Sequence, residues 1–466
     1  MSDSLLLIEF LLERKIAPMV HWRLMELEPA KLNHRLEECM QRCLSIGRTG
    51  LLSVLLLIAG CMKYVPPDSF PQAFLKRVET HQKGPVGVSA VVLSASESDE
   101  VFGSSLPGKN IQPVWLKIYN QTEEELVLQL LSIDRDYFAP SEAAWLSRGF
   151  GERGLTHKMR YFYDQHIPLL IPAGVTTEGF VFTNFDPGVK AFAVQLLGDR
   201  KSYDFDFVLP VPGFQADFMK RDTTKLYAPD EIRTLNLNEL RDYLTNLPCC
   251  VLGGDQETDG DPLNLVIVGD GQHGVVTLAR QGWDLTETLS TGTAWRTAVS
   301  SIFGSRYRTS PLSPLYLFGR SQDASFQKAR ETVDERNHLR LWRAPVTYQG
   351  LPVWVGQISR DIGVKLSSKT IVTHKIDPVV DEARTYIGLD LLASQYLGQV
   401  GYVRGVGVST RAEPRYNYTD DPYYTDGLRV VLFLSEAPAA YDEINWLDWE
   451  RPPGRLSNKE RKSEKP

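Results

Sequence analysis

Short runs of β-forming residues recur along the first half of the chain, and each is only long enough for one strand. Six such runs lie between residues 84 and 213: VGVSAVVLSA, VWLKIYN, LVLQLLSI, EGFVFTNF, KAFAVQLLG and DFDFVLPV. Turn-forming segments separate them, and this spacing is typical of two antiparallel sheets packed face to face. The pattern therefore predicts an immunoglobulin-like β-sandwich over residues 84–213.

The second half of the chain mixes helix-like and strand-like segments. Residues 214–250 contain PDEIRTLNLNELRDYLTNLP, which predicts a helix that links the two halves. A strand, LNLVIVGD, then precedes two helix-like segments, GVVTLARQGW and TAWRTAVSSIFG, and most later segments are strands. Helices that come early and strands that cluster later favour an α+β layer over alternating βαβ units. We therefore expect an α+β domain with a mostly antiparallel sheet over residues 251–447 and a disordered tail over residues 448–466.

Composition and charge exclude some classes of protein. The chain has 466 residues, of which 42% are apolar, and this is enough material for two or three domains with hydrophobic cores. The formal net charge is -7, so there is no large basic surface to attract phosphates. We therefore expect no nucleic-acid partner.

The five cysteines show no CxxC motif and no Cys/His spacing typical of a metal site. Cys249 and Cys250 are adjacent, so their Cα atoms lie about 3.8 Å apart, below the usual range for a disulfide. We therefore expect two buried thiols at this position.

A short apolar run near the start of the chain ends at a cysteine. Residues 51–60 contain one polar residue, Ser53, and the run is about half of the roughly 20 residues needed to cross a bilayer. With Arg42 and Arg48 before it, the run is typical of the apolar centre of a signal peptide. Its last residues and the cysteine, IAGC, resemble the bacterial lipobox, in which cleavage precedes a lipidated cysteine. We therefore expect a signal peptide over residues 40–60 and lipidation at Cys61.

Lipidation of this kind also predicts a location. Met62 follows the cysteine where an aspartate typically retains lipoproteins in the inner membrane, so we expect an outer-membrane lipoprotein that faces the periplasm or the cell surface. Residues 61–83 are rich in proline and polar residues and are predicted to be a tether. If translation starts at Met40, residues 1–39 are a non-native extension; the alternative is an amphipathic amino-terminal segment.

Five segments of the second half occur together and in order: SPLYLFGRSQDASFQK, NHLRLW, VWVGQISRDIGV, THKIDPVVDEAR and DPYYTDG. Over residues 261–434 they resemble the C-terminal domain family named after LssY. The family name implies a link to type I secretion, and related domains are fused to membrane-embedded phosphatase-like or DedA-like segments. The resemblance implies no activity for the domain itself. Here a lipoprotein-like start and a sandwich stand in place of the membrane-embedded segments.

Residues 269–274 satisfy the G-x-G-x-x-G pattern between a predicted strand and a predicted helix. A dinucleotide site also needs a second strand that ends in an acidic residue, and the sequence that follows instead predicts a turn and a helix. We therefore interpret the glycines as a tight strand-to-helix turn, with Asp270 near the helix start.

Four polar residues are candidates for a catalytic site. The strand period of NHLRLW places His338, Arg340 and Trp342 on one face. Asp361 ends the predicted hairpin partner strand and His374 ends a later extended run, so His338, Arg340, Asp361 and His374 are predicted to share one end of a sheet. The alternative is an exposed ladder of ion pairs that contributes little to stability.

A second candidate is a cation site. His374, Asp377 and Asp381 form an H-x2-D-x3-D array: His374 ends an extended run, and Asp377 and Asp381 lie four apart, on one face of the helix predicted to begin here. Such an array could bind a cation. The competing interpretation is that both carboxylates complement the start of the helix, with Asp377 as its N-cap.

The loop over residues 415–427 carries four tyrosines and three aspartates between two strands. Aromatic and acidic side chains on a long loop suit the recognition of a sugar or a protein; a mobile loop tip is the alternative.

Together these features predict a lipid-anchored binding or assembly module of the cell envelope, associated with secretion or envelope maintenance, with an envelope protein as its partner. The alternative is an extracytoplasmic hydrolase of a phosphorylated or lipid-like substrate, in which His338 and His374 act as acid and base or bind a divalent cation and Arg340 orients the anion. No resident cofactor is expected, and no established catalytic motif occurs.

Overall fold

The computed structural model describes residues 63–67, 72–149, 153–186, 188–199, 201–212, 222–286, 312–329, 336–367 and 371–453. The predicted signal peptide, Cys61, the segment TAWRTAVSSIFG and residues 454–466 of the predicted tail lie outside these ranges. The described residues form mostly β-sheet, with several antiparallel sheets. None of the helices within these ranges is both long and apolar enough to cross a membrane.

Eight strands form the first part of the fold. They are β1 (Glu79–Lys83), β2 (Val86–Val92), β3 (Ile111–Asn120), β4 (Leu126–Gln129), β5 (Leu170–Ile171), β6 (Thr176–Asn184), β7 (Val189–Leu197) and β8 (Ser202–Pro210). One antiparallel sheet has the order β1-β2-β3-β6 and the other has the order β5-β4-β7-β8. The strand-like runs predicted from the sequence fall on β2, β3, β4, β6, β7 and β8.

One hydrophobic core joins these two sheets. Strand β8 alternates between buried and half-buried residues, and this directs Phe205 and Phe207 into the core. Phe207 stacks on Phe192 of β7 with ring centroids 5.5 Å apart. From the other sheet, Val88 and Leu116 enter the same core.

Three helices that the sequence analysis missed pack beside the sandwich: α1 (Ala95–Phe102), α2 (Pro140–Leu146) and α3 (Leu155–Gln165). They enclose a second core in which Phe102 meets Phe162 and Phe182. A local signal for α1 was present, because Ser94 and Glu97 form a capping box.

Sixteen strands and three helices form the remainder. The strands are β9 (Arg233–Leu235), β10 (Cys250–Leu252), β11 (Asp259–Pro262), β12 (Leu265–Val268), β13 (Asp284–Leu285), β14 (Tyr316–Leu317), β15 (Arg320–Ser321), β16 (Ala324–Ala329), β17 (Arg336–Tyr348), β18 (Leu351–Ser367), β19 (Ile371–Ile376), β20 (Leu397–Arg404), β21 (Arg415–Tyr416), β22 (Pro422–Tyr423), β23 (Leu428–Leu434) and β24 (Asn445–Trp446). The helices are α4 (Leu237–Thr245), α5 (Gly271–Arg280) and α6 (Val380–Ala393).

A ten-stranded sheet organises this second part. Its order is β13-β16-β17-β18-β12-β23-β20-β24, with β19 paired to β18 and β9 paired to β17. The pairs β12–β23, β9–β17 and β20–β24 are parallel, and the other pairs in the sheet are antiparallel. A small sheet with the order β11-β10-β14-β15 and the pair β21–β22 lie beside it.

The large sheet is covered on both faces. Leu339 and Leu341 of β17 enter a core with helices α5 and α6, whereas Trp342 enters the opposite core with α4. This split follows the period-2 alternation of a strand, so the predicted strand and its two faces are confirmed.

The region predicted as a linking helix differs in detail. Residues 233–235 extend as β9 and pair with β17, and helix α4 begins only at Leu237. Asn236 explains the late start, because its side chain accepts hydrogen bonds from the backbone N–H groups of Asn238 and Glu239. Leu240 and Leu244 of α4 are buried in the second part of the fold, so this region belongs to that core.

The turn at residues 269–274 has the predicted role. Asp270 is the N-cap of α5 and accepts a hydrogen bond of 3.0 Å from the N–H of His273. A Cβ atom at Gly271 would lie 2.8 Å from the ring of Trp354, so close packing requires glycine there.

Helix α5 also joins the two parts of the chain. His273 Nδ1 lies 2.6 Å from Asp206 of β8, and its Nε2 lies 3.0 Å from the carbonyl oxygen of Ser435. Burial lowers the pKa of His273, but the contact with the Asp206 carboxylate outweighs it, so the pKa is raised. A charged hydrogen bond therefore links the sandwich to the large sheet.

Candidate functional site

Polar side chains occupy one face of three central strands of the large sheet. His338 of β17 lies opposite Gln327 of β16 and Ser359 of β18. Arg340 lies opposite Ser325 and Gln357 in the same two strands. All are buried, with at most 6% of each residue exposed. Since neighbouring strands in register place such residues on the same face, they form one polar layer inside the fold.

Asp361 lies within this layer. Its Oδ2 atom is 3.3 Å from His338 Nδ1 and 3.7 Å from Arg336 Nε. Arg336 also donates a hydrogen bond of 2.7 Å to Gln327. Burial raises the pKa of the Asp361 carboxyl to about 8, against the opposing effect of the Arg336 and Arg340 charges. The carboxyl can therefore hold a proton at neutral pH.

A chain of hydrogen bonds extends from Arg340. Its guanidinium donates to Gln357 Oε1 at 2.9 Å, and Gln357 Nε2 donates to Asp261 Oδ2 at 3.0 Å. Asn417 Nδ2 donates to the other oxygen of Asp261 at 2.7 Å. Burial raises the pKa of Asp261 and lowers the pKa of Arg340. The network thereby connects the sheet to the tyrosine-rich loop at residues 415–427.

Three of the four predicted catalytic residues come together, and the fourth is placed only by its backbone. His338, Arg340 and Asp361 share the polar layer, but Asp361 does not end its strand, because β18 continues to Ser367. His374 lies in β19 opposite Val364, five residues along β18 from Ser359, the partner of His338. Five residues of strand correspond to about 17 Å. The side chain of His374 is outside the described part of the structure, so its participation stays a prediction.

The two carboxylates of the predicted cation site contact the beginning of α6 and a neighbouring loop. Asp377 accepts a hydrogen bond of 2.9 Å from the N–H of Val379, the N-cap residue of α6. Asp381 accepts hydrogen bonds from the Thr425 hydroxyl at 2.8 Å and from the N–H of Asp426 at 2.7 Å. The expectation that Asp377 is the N-cap is wrong, because α6 begins after Val379; Asp377 lies two residues earlier, and Asp381 holds the neighbouring loop. Joint binding of a cation with His374 stays a prediction.

A separate cavity of about 1110 Å³ opens at the ends of β20 and β23. One wall is the turn over residues 404–408, which contains Gly405 and Gly407. A second wall includes Arg415, Tyr416 and Tyr423 of the tyrosine-rich loop. The predicted recognition loop therefore forms part of a cavity into which a ligand can fit.

The charges around the cavity are unequally neutralised. Asp426 and Glu450 form ion pairs with Arg384 and Arg241 at 2.7 Å and 3.0 Å. Arg404 is exposed and has no ion pair within 4 Å among the residues that the structure describes. Asp259 also lines the cavity, is exposed and has no ion pair in the described ranges, so the cavity presents both an unpaired guanidinium and an unpaired carboxylate to solvent.

Arg429 of β23 supports the turn at residues 404–408. The side chain is fully buried and donates hydrogen bonds to backbone carbonyls only: those of Leu244, Leu247, Pro248, Leu263 and Gly405. Burial lowers the pKa of Arg429 to about 10. Gly405 has φ of +131°, and a Cβ there would collide with this guanidinium. No pattern in the sequence indicates that Arg429 binds these carbonyls.

The two adjacent cysteines also line the cavity region, and here the expectation of free thiols is wrong: Cys249 and Cys250 form a disulfide. Cys249 precedes β10, and the antiparallel pairing of β10 with β11 brings Asp259 beside it. Cys249 Sγ lies 3.9 Å from Asp259 Oδ2. From the sequence, only the adjacency of the two cysteines is visible. The contact with the Asp259 carboxylate depends on the register of the β10–β11 hairpin.

Comparison with known proteins identifies one family. A protein-family model described as LssY C-terminus matches residues 241–428. The matched range contains the polar layer and both walls of the cavity. A search of curated proteins found no match to this chain.

The raised pKa of Asp361 predicts a pH-dependent stability. The unfolded carboxyl titrates near pH 3.8 and the folded one near 8, so the stabilisation present below pH 4 is lost as the pH rises to 8. Asp361→Asn mimics the protonated carboxyl, so the variant should exceed the wild type in unfolding free energy by roughly 3–5 kcal/mol at pH 8 and match it near pH 4. Urea denaturation at both pH values measures this difference.

Asp448→Asn is the control, because the Asp448 side chain is 66% exposed. Its substitution should change stability by no more than about 0.5 kcal/mol at either pH. An Asp361→Asn protein that is less stable than the wild type at pH 8 would show that Asp361 is held as a stabilising carboxylate.

Proposed function

Residues 241–428 belong to the LssY C-terminus family, and from this premise we propose that the chain is a ligand-binding module of the bacterial cell envelope. The observation that carries the proposal is the cavity between the glycine-containing turn at residues 404–408 and the tyrosine-rich loop at residues 415–427. Ligand sites combine a concave shape with a few convergent polar groups, and both are present here.

The lining of the cavity favours an anionic, sugar-bearing ligand. Arg404 supplies an unneutralised cation, and Arg415 is anchored by a hydrogen bond of 2.9 Å from its guanidinium to the carbonyl of Val406. Tyr416 is 58% exposed and offers an aromatic face on which a sugar ring can stack. A phosphorylated or carboxylated envelope glycan combines both chemistries.

The remaining parts of the proposal concern the anchor and the first half of the chain. Lipidation at Cys61 would hold the protein at the outer membrane, and residues 61–83 would serve as the tether. The two facing sheets would then act as an immunoglobulin-like spacer domain that carries the binding domain away from the membrane. His273 and Asp206, which join the two parts, support a fixed rather than a loose arrangement.

A hydrolase is the second candidate, and the convergence of His338, Arg340 and Asp361 favours it. A carboxyl that keeps its proton at neutral pH is suited to act as a general acid, and a neighbouring arginine is suited to hold an anion. All three residues are at least 94% buried, however, which favours the binding module. Turnover of aryl phosphates or acyl esters by the wild type but not by Asp361→Asn would establish the hydrolase; a wild type without turnover would exclude it for these substrates.

Replacement of Arg404 tests the binding proposal. Arg404→Glu reverses the free charge at the cavity, so affinity for an acidic oligosaccharide should fall at least about tenfold, since a hydrogen bond to a charged group contributes about 1.5–3 kcal/mol. Native mass spectrometry of the full chain with matched phosphorylated and neutral oligosaccharides measures this change.

Arg411→Glu is the matched control. Arg411 is also exposed and nearby, but its guanidinium stacks over Tyr424 at 5.7 Å and lies outside the cavity lining. Equal losses in both variants would indicate non-specific attraction. Binding that is unaffected by Arg404→Glu would contradict the proposed site.

Replacement of Cys61 tests the anchor. The thiol is the acyl acceptor in a lipoprotein, so Cys61→Ser should remain an uncleaved precursor without label from radioactive palmitate in the native bacterial host. Palmitate label that persists in Cys61→Ser would refute lipidation at this residue.

A further inference from the structure

Two sulfur atoms and a carboxylate meet at one wall of the cavity. Cys249 Sγ, Cys250 Sγ and a carboxylate oxygen of Asp259 all lie within 4.8 Å of one another. We propose that these residues form a redox-controlled metal site. In the disulfide form the site holds no metal; after reduction by a thiol compound, both cysteines and Asp259 bind a thiophilic divalent cation such as Zn²⁺.

The spacing fits the geometry that zinc requires. With Zn–S bonds of about 2.3 Å and Zn–O bonds of about 2.1 Å, a tetrahedral site separates sulfur from oxygen by roughly 3.6 Å and the two sulfurs by roughly 3.8 Å. The distance from Cys249 Sγ to Asp259 Oδ2 is already 3.9 Å. The two sulfurs must move apart, and breaking their bond allows this. The disulfide and the metal therefore exclude one another.

Both ligand segments are held in place by the fold. Cys250 begins β10, and the hairpin register pairs it with Pro262 and pairs Leu252 with Asp259. Tyr423 is almost fully buried, and its Oη atom lies 3.6 Å from Cys250 Sγ. The phenol can donate a hydrogen bond to the Cys250 thiolate from the side opposite to solvent, which is the role of an outer-shell group in metal sites.

The chemistry balances with a thiol as the reductant. The thiolate of one reductant molecule attacks a sulfur of the Cys249–Cys250 bond and forms a mixed disulfide. A second reductant molecule then attacks this mixed disulfide at the sulfur of the first. The reductant leaves as its own disulfide, and its two protons end on the two cysteine sulfurs. Zinc binding then releases these two protons, because only thiolates are ligands. Arg404 and Arg415 line the same cavity, and their positive charges favour the thiolate form.

Reductant and ion can both reach the site. Cys249 is half-buried and Asp259 is exposed, and both line the open cavity. The proposed metal site does not depend on the binding of an anionic ligand in the cavity. The metal-site proposal and the ligand-binding proposal can therefore fail independently. If both hold, the Zn²⁺ charge is cancelled by the two thiolates, so the net charge of the cavity stays the same.

The test compares Zn²⁺ binding by the oxidised and the phosphine-reduced full-length protein, measured by competition with a chromophoric zinc indicator. Reduction should add one Zn²⁺ per chain. Cys249→Ser should abolish this additional binding, and Asp259→Asn should weaken it at least tenfold. Since the chain has three other cysteines, a Cys39→Ser/Cys43→Ser/Cys61→Ser variant is the control and should retain it.

Asp259→Asn keeps the test independent of folding, because the side chain is exposed. Mapping of alkylated peptides before and after reduction should locate two newly reactive thiols at Cys249 and Cys250. Equal Zn²⁺ binding by the oxidised and reduced proteins would overturn the proposal. Unchanged Zn²⁺ affinity in Asp259→Asn, or cysteines that are alkylated without reduction, would overturn it as well.

Discussion

The buried guanidinium of Arg429 is the interaction on which the rest of the candidate site depends. A buried charge is costly unless it is hydrogen-bonded, and Arg429 meets this cost with backbone carbonyls alone. Those carbonyls belong to the end of α4, to the segment before β12 and to Gly405. Carbonyls at the end of a helix carry partial negative charge, which suits a cation. A single side chain thus fixes the segment before Cys249 and the turn that forms one wall of the cavity.

The polar layer of the large sheet is connected to the same cavity by the hydrogen bonds of Asp261. Its carboxylate accepts hydrogen bonds from Gln357, which belongs to the layer of His338 and Arg340, and from Asn417, which belongs to the tyrosine-rich loop. A buried network with all members hydrogen-bonded makes a structure rigid, whereas loss of one partner is expensive. The loop that lines the cavity is therefore positioned by the strands that carry the candidate catalytic residues.

Local sequence patterns predicted the features that depend on local periodicity. The alternation in NHLRLW placed His338 and Arg340 on one face correctly, and Asp270 was recognised at the start of α5. Hydrogen-bond partners that are distant in the sequence could not be predicted from local patterns. Asn417 and Asp261 are 156 positions apart, and their contact is set by the order of strands in the sheet. The carbonyl partners of Arg429 could not be predicted for the same reason. The contact of Asp259 with the cysteine pair depends on the register of a hairpin, and no residue type indicates that register.

The most direct test of this account is amide hydrogen exchange in Arg429→Lys. Lysine keeps the charge but not the planar fork, so it cannot reach all of the carbonyls at once. The amides of Val406 and Leu263, which are hydrogen-bonded to Gly427 and Cys249, should exchange at least about tenfold faster than in the wild type, while the amide of Phe207 in the sandwich should be unchanged. Unchanged protection of Val406 and Leu263 in this variant would contradict the claim that Arg429 holds the cavity together.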